Sequence, residues 1–449
     1  MHARVGGLFH SNTDFERTTM SLGTEEQRLV EIAHRVLPAG NIGNLDSDMI
    51  IVEGRGGRVR DINGKEYVDF LLGSGPMMIG HGNPEITAAV TDQIGRGTTF
   101  FANNPWAIEL ADEIVKAVRC ADKVRFANSG TEVDFLAMRA ARAFTGRTKI
   151  LKFEGGYHGM SDYTLISLWS TSVGNTSRGQ PDSAGIPQSV QDEILVAPYN
   201  DLAAAEQIIR EHKHELAGVI VEPMQRLYMP LPGFLEGLRA ITAELGIVLI
   251  FDEVVTGFRM AYGGAQEYFG VVPDLCTLGK IVGGGFPLAA ICGKAEIMAH
   301  FDKKKVGPKG YLPYVGTLNA NPIASIAGLT SLKILQRPGT YEKLNATGNT
   351  IRAALDENMK AAGVPAVTSG FPGMFDIYFT GLKQVRNYRE SKNVNAAVTA
   401  KFSSLLQERG ILRAGKFYIS LAHDERDIAQ TVNAIREAAP ILAEELQAA

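Results

Sequence analysis

The sequence predicts an α/β protein: a large domain with a mostly parallel sheet covered by helices, joined to a smaller α+β domain. Three observations predict it. Short β-branched runs, "KVRFANSG" (123–130), "KILKFEG" (149–155), "GVIVEP" (218–223) and "GIVLIFDEV" (246–254), alternate with helical stretches such as 202–213 and 233–244. Those runs are short and rich in β-branched residues, end in Glu, Asp, Pro or Gly, and suggest a mostly parallel sheet covered on both faces. Towards the C terminus the pattern changes. Helical periodicity at 340–362, 395–408 and 424–446 surrounds strand candidates at 373–379 and 416–421.

Taken in order, the first twenty residues read as a mobile arm, with Met20 an alternative start. "TEEQRLVEIAHRV" (24–36) reads as an amphipathic helix ended by Pro38 and Gly40. In "GGRVRDINGKEYVDF" (56–70), alternating apolar positions flank Asn63-Gly64, a strong hairpin signal. Helices are expected near 84–95 and 106–119, and "NPIASIAGLTSLKILQ" (321–336) reads as a connecting helix.

At 449 residues the chain has room for a large core. A formal net charge of −4 argues against a general nucleic-acid binder, whose affinity would need a basic face, and no apolar run approaches a membrane-spanning length. Cys120, Cys276 and Cys292 are too few and too irregularly spaced for a disulfide framework or a zinc site. No metal is expected, and the expected compartment is the reducing cytoplasm.

In an open α/β sheet, ligands bind beyond the carboxyl ends of the strands, so polar residues there carry the functional reading. Asn128-Ser129-Gly130-Thr131 stands directly before a helix. Free N–H groups, hydroxyls and a glycine make it either a phosphate seat or a simple N-cap. Asp252-Glu253 ends a buried apolar strand, where a carboxylate needs a cation or a donor unless it only caps a helix. Gly156-Tyr157-His158-Gly159 sets two rings between glycines, open to a flat ligand or purely structural. Lys280, in "LGKIVGGGFP", is not a phosphate-loop lysine, because Asp274 and Ile281 occupy the positions of the required glycine and hydroxyl. A desolvated lysine there is a usable amine nucleophile, unless it reaches out to water. Together the four sites are what pyridoxal phosphate (PLP) requires: a phosphate seat, a ring contact, a carboxylate for the pyridine nitrogen and a Schiff-base lysine.

With these residues in place, the chain resembles the class-III aminotransferases of PLP fold type I. "FANSGTEV", "KFEGGYHG", "VEPMQ", "FDEVVTGFR", "PDLCTLGKIVGGGFP" and "GTLNANP" occur in the family's order. "TGFRMAYGGAQEYFGVVPDLCTLGK" and "ISLAHDERDI" are most similar to its glutamate semialdehyde aminomutase branch. The resemblance implies an N-terminal arm (1–20), a small domain formed from 21–75 and 331–449, and a PLP-binding large domain at 76–330. It further implies that Lys280 forms the Schiff base and moves the proton, and that Asp252 pairs with the pyridine nitrogen. Tyr157 and Val254 would take the two ring faces, beside His158. Ser129, Gly130 and Thr131 would hold the phosphate, Gln225 would meet the ring hydroxyl, and Glu222 would support it. Thr317 would reach the site of the other subunit, making a homodimer part of the active site.

Departures from that branch bear on the substrate. No arginine follows the N-terminal Pro-Ala-Gly in "PAGNIGNLDSD" (38–48), and Ser74 stands where the aminomutases have tryptophan. Arg226 replaces a common glycine, as a carboxylate anchor or as a structural side chain. The expected activity is therefore transfer of an amino group from an amine or amino acid to a carbonyl acceptor. The alternatives are an aminomutase or racemase, and a PLP-binding module without turnover.

Overall fold

The computed structural model describes residues 24–45, 47–169 and 177–448. The expected arm and Met20 lie outside the described residues.

The large sheet has seven strands. In spatial order they are Lys123–Ala127, Ala289–Gly293, Leu275–Leu278, Val248–Glu253, Leu216–Val221, Lys149–Phe153 and Ile194–Ala197. Ala289–Gly293 runs antiparallel to both of its neighbours, and the other six strands share one direction. Six carboxyl ends therefore open on one edge, five of them with Asn128, Glu154, Glu222, Asp252 and Gly279 on or beside them. Leu216–Val221 and Val248–Glu253 are buried at every residue, as strands covered on both faces must be. Helix Gly130–Thr145 packs on the sheet through Val133, Asp134, Leu136, Ala137, Met138, Ala140 and Ala141.

The smaller sheets explain how distant segments meet. The hairpin forms with Val59 opposite Tyr67, and a preceding strand, Ile51–Arg55, adds to it. Its other edge pairs in parallel with Ile411–Leu412, which joins the two ends of the chain in one sheet. A third sheet comprises Val367–Phe371, Met374–Tyr378 and Phe417–Tyr418. The run expected at 416–421 is thus a two-residue strand, ended where His423 turns back to accept from Ser420 N–H at 3.2 Å. Helices Thr340–Ala362 and Glu425–Ala448 pack together against these sheets. Among the described residues, no helix is long and apolar enough to cross a membrane.

The three cysteines, scattered in sequence, converge in the core. Cys276 and Cys292 are cross-strand partners with Sγ atoms 3.4 Å apart, and Cys120 lies beside them. All three are buried free thiols.

Candidate active site

The register of two central strands sets the site. Asp252 pairs with Thr277 and Glu253 with Leu278, so Lys280 emerges two residues past the end of the strand beside Asp252. Gly279 is extended, while Lys280 itself has φ of 50° and opens a short 3-10 turn. A left-handed conformation at a lysine costs about 1–3 kcal/mol, which the turn Lys280–Gly283 and its buried Ile281 and Val282 must offset. Gly284 follows at φ of +58°, where an added Cβ would lie 2.5 Å from the Ala327 carbonyl. The glycine run therefore lets the turn pack on helix Pro322–Leu335.

Asp252 is buried and accepts from two directions: His158 Nδ1 lies 2.8 Å from Oδ2, and Val254 N donates to Oδ1 at 3.0 Å. Thr277 Oγ1 bridges this carboxylate to Asp134, at 3.5 Å from Asp252 Oδ1 and 2.7 Å from Asp134 Oδ1. The neighbouring Glu253 points elsewhere. Its carboxyl meets Gln266 Nε2 and backbone N–H groups at the start of helix Gly264–Phe269. Burial raises it to about 7.

The loop Glu154–Gly159 forms one wall. Tyr157 N donates to Glu222 Oε1 at 2.7 Å, and Glu222 Oε2 accepts from Arg226 N at 3.2 Å. Arg226 turns to the same loop, with Nε donating to the Gly155 carbonyl at 3.0 Å and its guanidinium 5.2 Å from the Tyr157 ring centre. Gln225 Nε2 donates to the Glu154 carbonyl at 2.6 Å.

On the opposite side, Ser129 caps helix Gly130–Thr145. It accepts from Glu132 N at 3.3 Å and donates to Glu132 Oε2 at 2.9 Å, a reciprocal cap. Thr131 Oγ1 accepts from Met160 N at 3.2 Å, and Gly159 presses so close that a Cβ there would lie 2.5 Å from Thr131 Cα. Val254 reaches between the two glycines of the seat, 3.2 Å from a Cβ built on Gly130 and 3.1 Å from one on Gly279. Thr317 lies exposed in the loop between Tyr311 and Asn321, between exposed Val315 and Leu318.

Ser74, with φ of 66°, faces the buried Tyr418 phenol from the N-terminal side. Burial pushes that phenol up, but Lys416, Lys280 and Arg259, with the Ser74 hydroxyl, outweigh it and hold it below its usual value. Arg259 is itself buried, lies 5.0 Å from the Tyr418 ring centre and donates to the Gly75 and Gly373 carbonyls. Burial lowers its guanidinium to about 10. Sequence reasoning missed Asp134, Thr277, Arg259 and Tyr418. Asp134 carried a signal, because it shares the buried helix stripe of Ala137, Met138 and Ala141 at i, i+3, i+4 and i+7.

These residues fit PLP. Among the described residues, His158 Nε2 and Gln225 Oε1 are buried polar atoms without a partner. Both crowd Gly156, where a Cβ would meet them at 3.1 and 3.3 Å. An unsatisfied acceptor, an anion-receptive helix start, a half-buried lysine past a strand end and a buried carboxylate are the complements of that cofactor's hydroxyl, phosphate, aldehyde and ring nitrogen.

Residues 42–438 match the family described as aminotransferase class-III, and the chain belongs to it. It is a PLP-dependent enzyme of fold type I. An ω-transaminase from Sphaerobacter thermophilus is 36% identical, with a TM-score of 0.88 over 94% of this chain and 99% of that one. A β-phenylalanine aminotransferase from Variovorax paradoxus is 31% identical, with a TM-score of 0.82 over 92% and 93%. A glutamate-1-semialdehyde aminomutase from Pseudomonas aeruginosa PAO1, at 22% identity and a TM-score of 0.82 over 93% and 94%, shares the fold.

Proposed function

We propose that the protein moves an amino group from an amine or amino acid to a keto acid, aldehyde or ketone in two alternating half-reactions. The observation that carries this reading is the placement of Lys280 and Asp252 on adjacent strand ends, at one edge with the Ser129–Thr131 helix start. When bound, PLP supplies an aldehyde that takes the amine covalently and a ring that draws electrons from its α-carbon.

The chain's own residues do the rest. The helix start and the hydroxyls of Ser129 and Thr131 receive the phosphate. Asp252, whose carboxyl accepts from two donors, would hold the ring nitrogen's proton in place. Tyr157 and Val254 confine the ring, and Gln225 Oε1 meets its hydroxyl. Lys280 Nζ, freed when substrate takes its place, removes the α-proton as general base and returns it as general acid. Ser74 and Tyr418 line the approach from the small-domain side, beside the positive charges of Lys416 and Arg259, a setting that favours an anionic substrate group.

The active form is proposed to be a homodimer in which Thr317 completes the neighbouring site. Two loops support this. The one carrying exposed Phe100 and Phe101 is tied to the Thr317 loop by Asn104 Nδ2, which donates to the Ala320 carbonyl at 2.9 Å.

The test is the visible spectrum of the PLP-loaded protein mixed with single amines and amino acids, with no acceptor present. Loss of the yellow band with one carbonyl product released per site supports transamination. A persistent band with an isomerised amine contradicts it in favour of a mutase or racemase.

A further inference from the structure

The chemistry above leaves Asp134 without a role, yet it is buried at the floor of the site. It is the fifth residue of helix Gly130–Thr145, only 2% exposed. Among the described residues, no lysine or arginine lies within ion-pair distance of it or of Asp252; the nearest base is His158. Carboxylate and imidazole atoms of Asp134, His158 and Asp252 all fall within 4.8 Å of one another.

Two carboxylates so close in a dry pocket cannot both stay ionised, and the donors show which one does. Asp252 receives His158 Nδ1–H and Val254 N–H, whereas Asp134 has only the Thr277 hydroxyl. The groups facing Asp134 agree. Burial and the Asp252 charge, with Glu222 adding to them, push its carboxyl well above the ordinary range, against a weaker pull from Thr277.

We propose that Asp134 is a positioning residue held as the neutral acid, serving Asp252 through Thr277. Its O–H donates across the 2.7 Å contact to Thr277 Oγ1, which releases the threonine O–H to turn to Asp252 Oδ1. An ionised Asp134 would instead drive a proton onto Asp252 and cancel its pairing with the ring nitrogen. A neutral donor in that place keeps Asp252 anionic without adding a second charge. The inference rests on the PLP reading of Asp252.

The experiment compares infrared spectra of the PLP-loaded wild type and D134N at neutral pH, with PLP titrations of wild type, D134N and D134L. Glu253 is a second candidate for a protonated carboxyl, so only the band that D134N removes is assigned. The expected result is a carboxylic-acid carbonyl band present in wild type and missing in D134N. Asn, a neutral donor of the same shape, should keep PLP affinity within about 3-fold, while Leu should lose about 10-fold or more, as expected for a hydrogen bond to a charged group. No band lost in D134N, or equal loss of affinity in D134N and D134L, overturns the proposal. Should D134L not fold, the band alone decides. Failure of wild type to bind PLP would refute the cofactor seat, whereas the band still reports the proton on Asp134.

Discussion

Asp252 Oδ2 and His158 Nδ1 lie 2.8 Å apart at the floor of the site, with both side chains buried. A carboxylate acceptor places the imidazole proton on Nδ1 and leaves Nε2 as a lone pair facing Gly156. His158 thus orients Asp252. His158→Ala should weaken PLP binding about 10–100-fold, the range for losing a buried hydrogen bond to a charge. Titrating the apoenzyme with PLP by absorbance checks this, and unchanged affinity would remove His158 from the account.

Gly159 has φ of +83°, and a Cβ there would lie 2.5 Å from Thr131 Cα and Oγ1. Gly159→Ala is therefore expected to cost about 1–3 kcal/mol, from a left-handed conformation and a backbone clash. It should also push Thr131 off the phosphate seat. Calorimetry with and without PLP should show a lower Tm and a smaller gain from the cofactor.

Arg226 is turned towards Tyr157 and Gly155. Arg226→Leu should then weaken PLP binding about 3–30-fold, from one hydrogen bond and one cation–π contact. The loss should be the same for donors with and without a carboxylate. A rise in KM confined to carboxylate donors would show instead that Arg226 anchors substrate.

Glu253 titrates in the folded protein at about 7, against an ordinary value of 4.5. Because burial raises the folded value, its stabilising contribution is complete below about pH 4.5 and is lost as pH rises through 7. The whole effect is roughly 3 kcal/mol at about 1.4 kcal/mol per unit. Glu253→Gln should flatten the decline in stability between pH 5 and 8 in denaturant melts. An unchanged slope would mean that the carboxyl is ionised in the fold.

The strand ends were legible because apolar runs stop abruptly at Asp252, Glu154 and Glu222, and burial on both faces leaves few alternatives. The helix Thr340–Ala362 was legible end to end, because its amphipathic period is long. Ala289–Gly293 was harder. Its run "AAICG" carries only one β-branched residue, and nothing local announces an antiparallel strand between two others. The pairing of Ile411 with Val68 and the meeting of three cysteines depend on tertiary packing alone. The same holds for Tyr418, which reaches Ser74 and the field of Lys280 only because the two ends of the chain fold together. Lys280 and Asp252 could be picked from their neighbours, but the sequence could place Asp134 only on the buried stripe of its helix, with nothing local to show that it meets Asp252.

Borohydride reduction of the PLP-loaded protein, followed by peptide mass mapping, tests the central claim most directly. The account predicts one phosphopyridoxyl group per chain, attached at Lys280 and absent from Lys280→Ala. Labelling at another lysine, or none after saturation with PLP, would contradict it.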